Sequence, residues 1–98
     1  MENDDCINIE AVGFDIIPSE MGHINRQIND LYQLCPIDAI INLTFNKNFE
    51  SFDGALIVES SVKTFSAKLS GSDIQSLYRN LDQEIQEQLI IWKKDRFK

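Results

Sequence analysis

Four kinds of side chain in this sequence invite a chemical reading: one histidine, two cysteines, a close pair of glutamates and a cluster of bases at the C-terminus. His23 stands one helical turn from Glu20 and from Arg26, a spacing that suits a pH-responsive pair or a proton carrier. Nothing supplies a nucleophile at a fixed spacing from it, so it reads as a solvated surface histidine. Cys6 and Cys35 form no CxxC pair, and with a single histidine they leave a zinc site short of ligands. They read as two partly buried free thiols, with a redox link as the sharper alternative. Glu84 and Glu87 fall three residues apart, which on an amphipathic helix is the solvated edge rather than an acid–base pair. The scattered glycines make no GxxxxGK loop for phosphates. The expectation is a protein that is not an enzyme, with no catalytic, cofactor or metal site.

Charge narrows the partners. Sixteen acids against nine bases give a formal charge of -7, which opposes long-range attraction to phosphate backbones and anionic lipid. Generic nucleic-acid binding is therefore disfavoured, and neither DNA nor a membrane is an expected partner. The charge is also uneven: residues 1 to 20 hold Glu2, Asp4, Asp5, Glu10, Asp15 and Glu20 with no base, while Lys93, Lys94, Arg96 and Lys98 crowd the C-terminus. Cations there complement a helix macrodipole even without a ligand. No apolar run approaches the roughly 20 residues of a membrane span, and the acidic start lacks the regions of a signal peptide. A cytoplasmic location follows as an expectation.

These residues need elements to hold them, and 98 residues with 43% hydrophobic content suffice for one self-supporting core. Residues 1–5 read as a flexible polar N-terminus and 6–98 as a single domain. Ile7, Ile9 and Ala11 alternate with Asn8 and Glu10, the period of a strand with one buried face. Pro18-Ser19-Glu20 supplies a stop and a cap. Met21, Ile24, Ile28, Leu31, Tyr32 and Cys35 then recur at helical spacing, predicting a helix from about Glu20 to Cys35 that ends at Pro36. Ile41, Leu43, Phe45 and Phe49 alternate with Asn42, Thr44, Asn46 and Asn48 as a long second strand. Asp53-Gly54 reads as a type I′ turn, placing Phe52 opposite Ala55 and Phe49 opposite Val58. A weaker turn at Ser60-Ser61 leads to a strand with Phe65, Ala67 and Leu69 inward. Ser72 and Gln75 have the capping-box spacing, with Asp73 suited to the helix N-terminus. Ile74, Leu77, Tyr78, Leu81, Ile85, Leu89 and Trp92 then form one helical stripe.

The sum is an α+β fold of order β-α-β-β-β-α: a two-layer sandwich in which a four-stranded mixed sheet carries both helices on one face. The opposite face, with Asn8, Asn42, Thr44, Asn46, Ser66 and Lys68, is suited to water.

This element order, with Ile7-Asn8-Ile9 opening the first strand and Gly71-Ser72-Asp73-Ile74 opening the last helix, resembles the ribosome hibernation promoting factors. That family is also called the sigma-factor modulation or ribosomal subunit interface proteins. The resemblance covers about residues 6 to 96. The double-stranded RNA-binding domain shares an α-β-β-β-α core. It lacks the first strand, however, and opens its last helix with lysines where this chain has Ser72, Asp73 and Gln75. What the family resemblance implies is binding to rRNA of the small ribosomal subunit and regulation of translation under stress, without catalysis. Outward bases on the helices would pair with phosphates, here Arg26, Arg79, Lys93, Lys94 and Arg96, with Lys68 as an outlier. Where family members usually carry lysine and arginine midway along the last helix, this chain has Glu84 and Glu87. That departure supports an alternative, an acidic protein-interaction or self-association module using the outward Ile90 together with Phe97.

Overall fold

The structure, a computed structural model, describes residues 6–96, the side chain of Arg96 excepted. Six elements follow one another: β1 (Ile7–Val12), α1 (Pro18–Tyr32), β2 (Ile40–Lys47), β3 (Phe52–Glu59), β4 (Thr64–Gly71) and α2 (Ile74–Arg96). The strands form one sheet in the order β1-β2-β3-β4. β1 and β2 are parallel, with Ile7 beside Ile41 and Ala11 beside Phe45, as a helical crossover requires. The two later pairings are antiparallel. The α+β architecture read from the sequence is the one observed.

Strict alternation decides which sheet face is dry. Ile41, Leu43 and Phe45 of β2, Leu56 and Val58 of β3, and Phe65 and Ala67 of β4 are buried. Ile24, Ile28 and Leu31 of α1 and the stripe from Ile74 to Leu89 of α2 lie in the same hydrophobic cluster. Each helix thus spends its apolar stripe on the same layer of side chains. Trp92 closes the far end of this core, its ring edge-on to Phe65 at 5.9 Å.

The β2–β3 hairpin departs from the sequence reading. Asp53 and Gly54 lie inside β3, paired with Asn46 and Phe45, so no type I′ turn forms there. Phe52 faces Lys47 rather than Ala55, and Val58 faces Ile41 rather than Phe49. The chain reverses instead over Asn48–Ser51, closed by the Asn48 N–H donating to Ser51 O at 2.8 Å. Phe49 belongs to that turn and not to β2. Gly54 is buried on the dry face, where a Cβ would stand 2.9 Å from Leu81 Cδ1 and 3.0 Å from Leu77 Cδ2. Helix packing, rather than turn geometry, requires this glycine.

The helix ends differ in detail as well. α1 begins at Pro18, whose missing N–H costs nothing in a first turn, and gives way after Tyr32 to tighter turns that run through Cys35. At α2 the cap is Asp73: its Oδ1 accepts from the Ser76 N–H at 2.9 Å and its backbone O from the Leu77 N–H. Asp73 therefore takes the role expected of Ser72. Between β1 and α1, Gly13 turns the chain at φ 87°, a conformation side chains rarely adopt.

Candidate functional site

The fold sends the six candidate bases to four places. Arg26 is exposed on α1, and Lys93 and Lys94 are exposed in the last turns of α2. Arg96 ends that helix, with its side chain outside the described residues. Arg79 lines a groove of about 320 Å³ between the helices, together with Asp30 and Asp82. Lys68 stands on the open face of the sheet, across the layer from all the others. One further base joins Lys93 and Lys94 at the same end. Lys63, in the β3–β4 turn, places its Nζ 5.8 Å from the centre of the Phe65 ring that Trp92 covers. No sequence signal singles out Lys63, because only the turn geometry, with Ser60 N donating to Lys63 O, brings it there. Glu84, Glu87 and Ile90 are exposed on α2, whereas Phe97 lies outside the described residues.

Beneath the interhelical groove lies the one charged side chain among the buried described residues. Asp82 is 9% exposed and accepts from the Tyr78 hydroxyl at 2.7 Å and from Gln86 Nε2. Burial first, and then the hydrogen bond and charge of Asp82, push the Tyr78 phenol far above its ordinary value. The arrangement keeps a proton in place, and the charge of Cys35 adds a smaller push in the same direction.

The two thiols meet around Tyr32. Cys6 precedes β1 and Cys35 follows α1, both half-buried and free. The Cys6 side chain at its hydroxyl raises the Tyr32 phenol, aided by burial and by Cys35. Cys35 Sγ donates to Leu31 O at 3.3 Å, and burial pushes its thiol up to about 11, against a smaller opposing pull from Lys93. Because the thiolate is the reactive form, Cys35 alkylates with iodoacetamide at pH 8 about a hundredfold more slowly in the folded chain than in urea. Peptide mapping over time reads both rates, and equal rates would contradict the burial assigned to Cys35. His23 is exposed on α1. Among the described residues no group of three His, Cys, Asp or Glu side chains could hold a metal ion. None of the described helices is long and apolar enough to cross a membrane.

The open face is a polar lattice. Asn8 Nδ2 donates to Asn42 Oδ1 at 3.1 Å across the parallel pair. Asp53 accepts from Ser70 Oγ at 2.6 Å and from Asn48 Nδ2, and these bonds, that of Ser70 foremost, hold its carboxyl below the usual range. A shallow depression of about 430 Å³ lies there, bordered by Thr44, Asn46, Asp53 and Lys68 among others. The outer border of β4 is met at one residue from the helix layer. Gln88 Nε2 donates to Ser66 O at 2.7 Å and Gln88 Oε1 accepts from Ser66 N at 3.3 Å, so at that residue a side-chain amide takes the place of a neighbouring strand.

Neither a family model nor a curated protein matches the chain. Solved structures do. A ribosomal subunit interface protein from Coxiella burnetii matches with a TM-score of 0.75 and 20% identity, covering 90% of this chain and 97% of that one. The N-terminal domain of Protein Y from Thermus thermophilus matches with a TM-score of 0.64 and 10% identity, covering 93% of this chain and 96% of that one. At these identities the likeness is one of fold: this chain has the same β-α-β-β-β-α sandwich as those two proteins.

Proposed function

We propose that the chain is a non-enzymatic factor that associates with the small ribosomal subunit through rRNA and modulates translation in the manner of the hibernation factors. One observation carries the reading: the likeness to a ribosomal subunit interface protein extends over 90% of this chain and 97% of that protein. The exposed Lys63, Lys93 and Lys94 at one end support it. Phosphate contacts need accessible cations that release condensed counterions, and each contact steepens the salt dependence. Arg26 and Arg79 extend the set along the helix layer, and Arg96 follows in the sequence.

Co-sedimentation with purified small subunits across a salt series tests this. Three phosphate contacts give a log–log slope of roughly -2 to -3. The double variant Lys93→Glu/Lys94→Glu lowers affinity more than tenfold at low salt and flattens the slope by about 1.5. Absence of binding at low salt, or binding indifferent to salt, would reject the reading. A second reading, the acidic protein-interaction module, is favoured by the exposed Glu84 and Glu87 beside Ile90 and Ile91, which are 53% and 58% exposed. Binding that survives the double variant and is lost in Ile90→Asp turns the assignment to that module.

A further inference from the structure

We propose that the end of the molecule where both helices begin is a docking surface for a basic protein segment with apolar side chains, and that Phe49 is its anchor. Phe49 is 98% exposed, although it sits in a turn held on both sides. The Asn48 N–H closes the turn on Ser51 O, the Asn48 side chain donates to Asp53, and Ser70 ties Asp53 to the next strand. An aromatic ring kept in water by an ordered support is preorganised for a partner, because little freedom remains to be lost when it is covered. Gly13 lies against Lys47, the position where a Cβ would stand being 3.6 Å from Lys47 Cβ, and so draws the β1–α1 connection to the foot of the same hairpin. The last residue of β1, Val12, and Ile17 of that connection add apolar surface, 43% and 55% exposed.

Charge selects the occupant. The three connections at this end carry Asp15, Glu50 and Asp73, and the element ends next to them add Glu20 and Asp53 against Lys47 alone. Asp73 is engaged as a helix cap and Asp53 as a turn support, yet both remain part of the field around the ring. Phosphate would be repelled from such a rim, and lysine or arginine drawn to it. A basic segment with apolar residues satisfies ring and rim together. The surface lies at the opposite end of α2 from Lys93 and Lys94 and is independent of the ribosomal reading.

Amide chemical-shift mapping of the full chain tests the proposal with three probes: a decapeptide alternating lysine and leucine, one alternating lysine and serine, and a uridine decanucleotide. The lysine–leucine peptide is expected to shift residues 12–17 and 47–53, to bind at least tenfold more tightly than the lysine–serine peptide, and to lose at least tenfold in Phe49→Ser. That variant melts at the wild-type temperature and co-sediments with ribosomal subunits as the wild type does, so failure here is separable from failure of the ribosomal reading. No binding of the lysine–leucine peptide, shifts confined to other residues, unchanged affinity in Phe49→Ser, or a stronger response of the same residues to the nucleotide would each overturn it.

Discussion

Gly54→Val lowers the melting temperature by roughly 12–24 °C, the equivalent of about 3 kcal/mol in a domain of this size. The new side chain would enter space already held by Leu77 and Leu81, 1% and 0% exposed, with the nearest atom 2.9 Å from its Cβ. Neither leucine can swing aside without pushing α2 off β3, because both are enclosed by the core. Gly54→Ala costs less, about 1–2 kcal/mol, since a single methyl must be accommodated. Gly22 provides the control. It lies within α1, and a methyl added there would meet nothing within 4 Å, so Gly22→Ala stabilises by about 0.5–1 kcal/mol through helix propensity alone. Thermal unfolding of the three variants checks the contrast, and equal shifts at positions 22 and 54 would contradict the close approach of helix and sheet.

Alkaline unfolding gives the second large effect. The Tyr78 hydroxyl is buried and donates to Asp82, and its folded-state value is raised above the ordinary 10.0. Above pH 10 the unfolded chain has released this proton while the native chain still holds it. The native state then binds more protons than the unfolded one, and stability falls by about 1.4 kcal/mol for each further pH unit. At pH 7 both states are protonated, and Tyr78→Phe simply loses a bond to a carboxylate, costing about 1–3 kcal/mol. From pH 10 to 12 the variant is spared about 2.3 kcal/mol of the decline, because the unfolded phenol is half titrated at pH 10, so the two stability curves converge. Urea unfolding at pH 7, 10, 11 and 12 reads this directly. Parallel curves would exclude Tyr78 as the group responsible.

The same two residues separate what a sequence can show from what only folding reveals. Tyr78 falls on the dry stripe of α2 by periodicity alone, because an amphipathic helix repeats one constraint along its length. Its bond to Asp82 is not legible: a carboxylate four residues along has the same spacing whether it faces water or core. At Gly54 the local signal misleads, since Asp-Gly favours a hairpin turn, whereas the demand this glycine meets comes from helix residues more than twenty positions later. The true turn carries no glycine and relies on the Asn48 side chain reaching Asp53, a contact that exists only once the strands are paired. Phe49 reads as part of β2 for the same reason, because alternation continues through it with nothing local to end the strand. The candidate bases are readable as outward residues on helices. Their distribution is not, because Lys63 reaches the Lys93 end only through the β3–β4 turn and Lys68 is parted from the others by the thickness of the sheet.

The amide of Gln88 across Ser66 has a consequence for assembly. Unlimited lengthwise stacking of copies through backbone pairing requires an acceptor border on each side of every unit. Here one border is already engaged at Ser66 from within the same chain. A strand arriving at that border would have to displace the amide at Ser66 before it could pair there, so lengthwise stacking is hindered where a bare four-stranded platform would invite it.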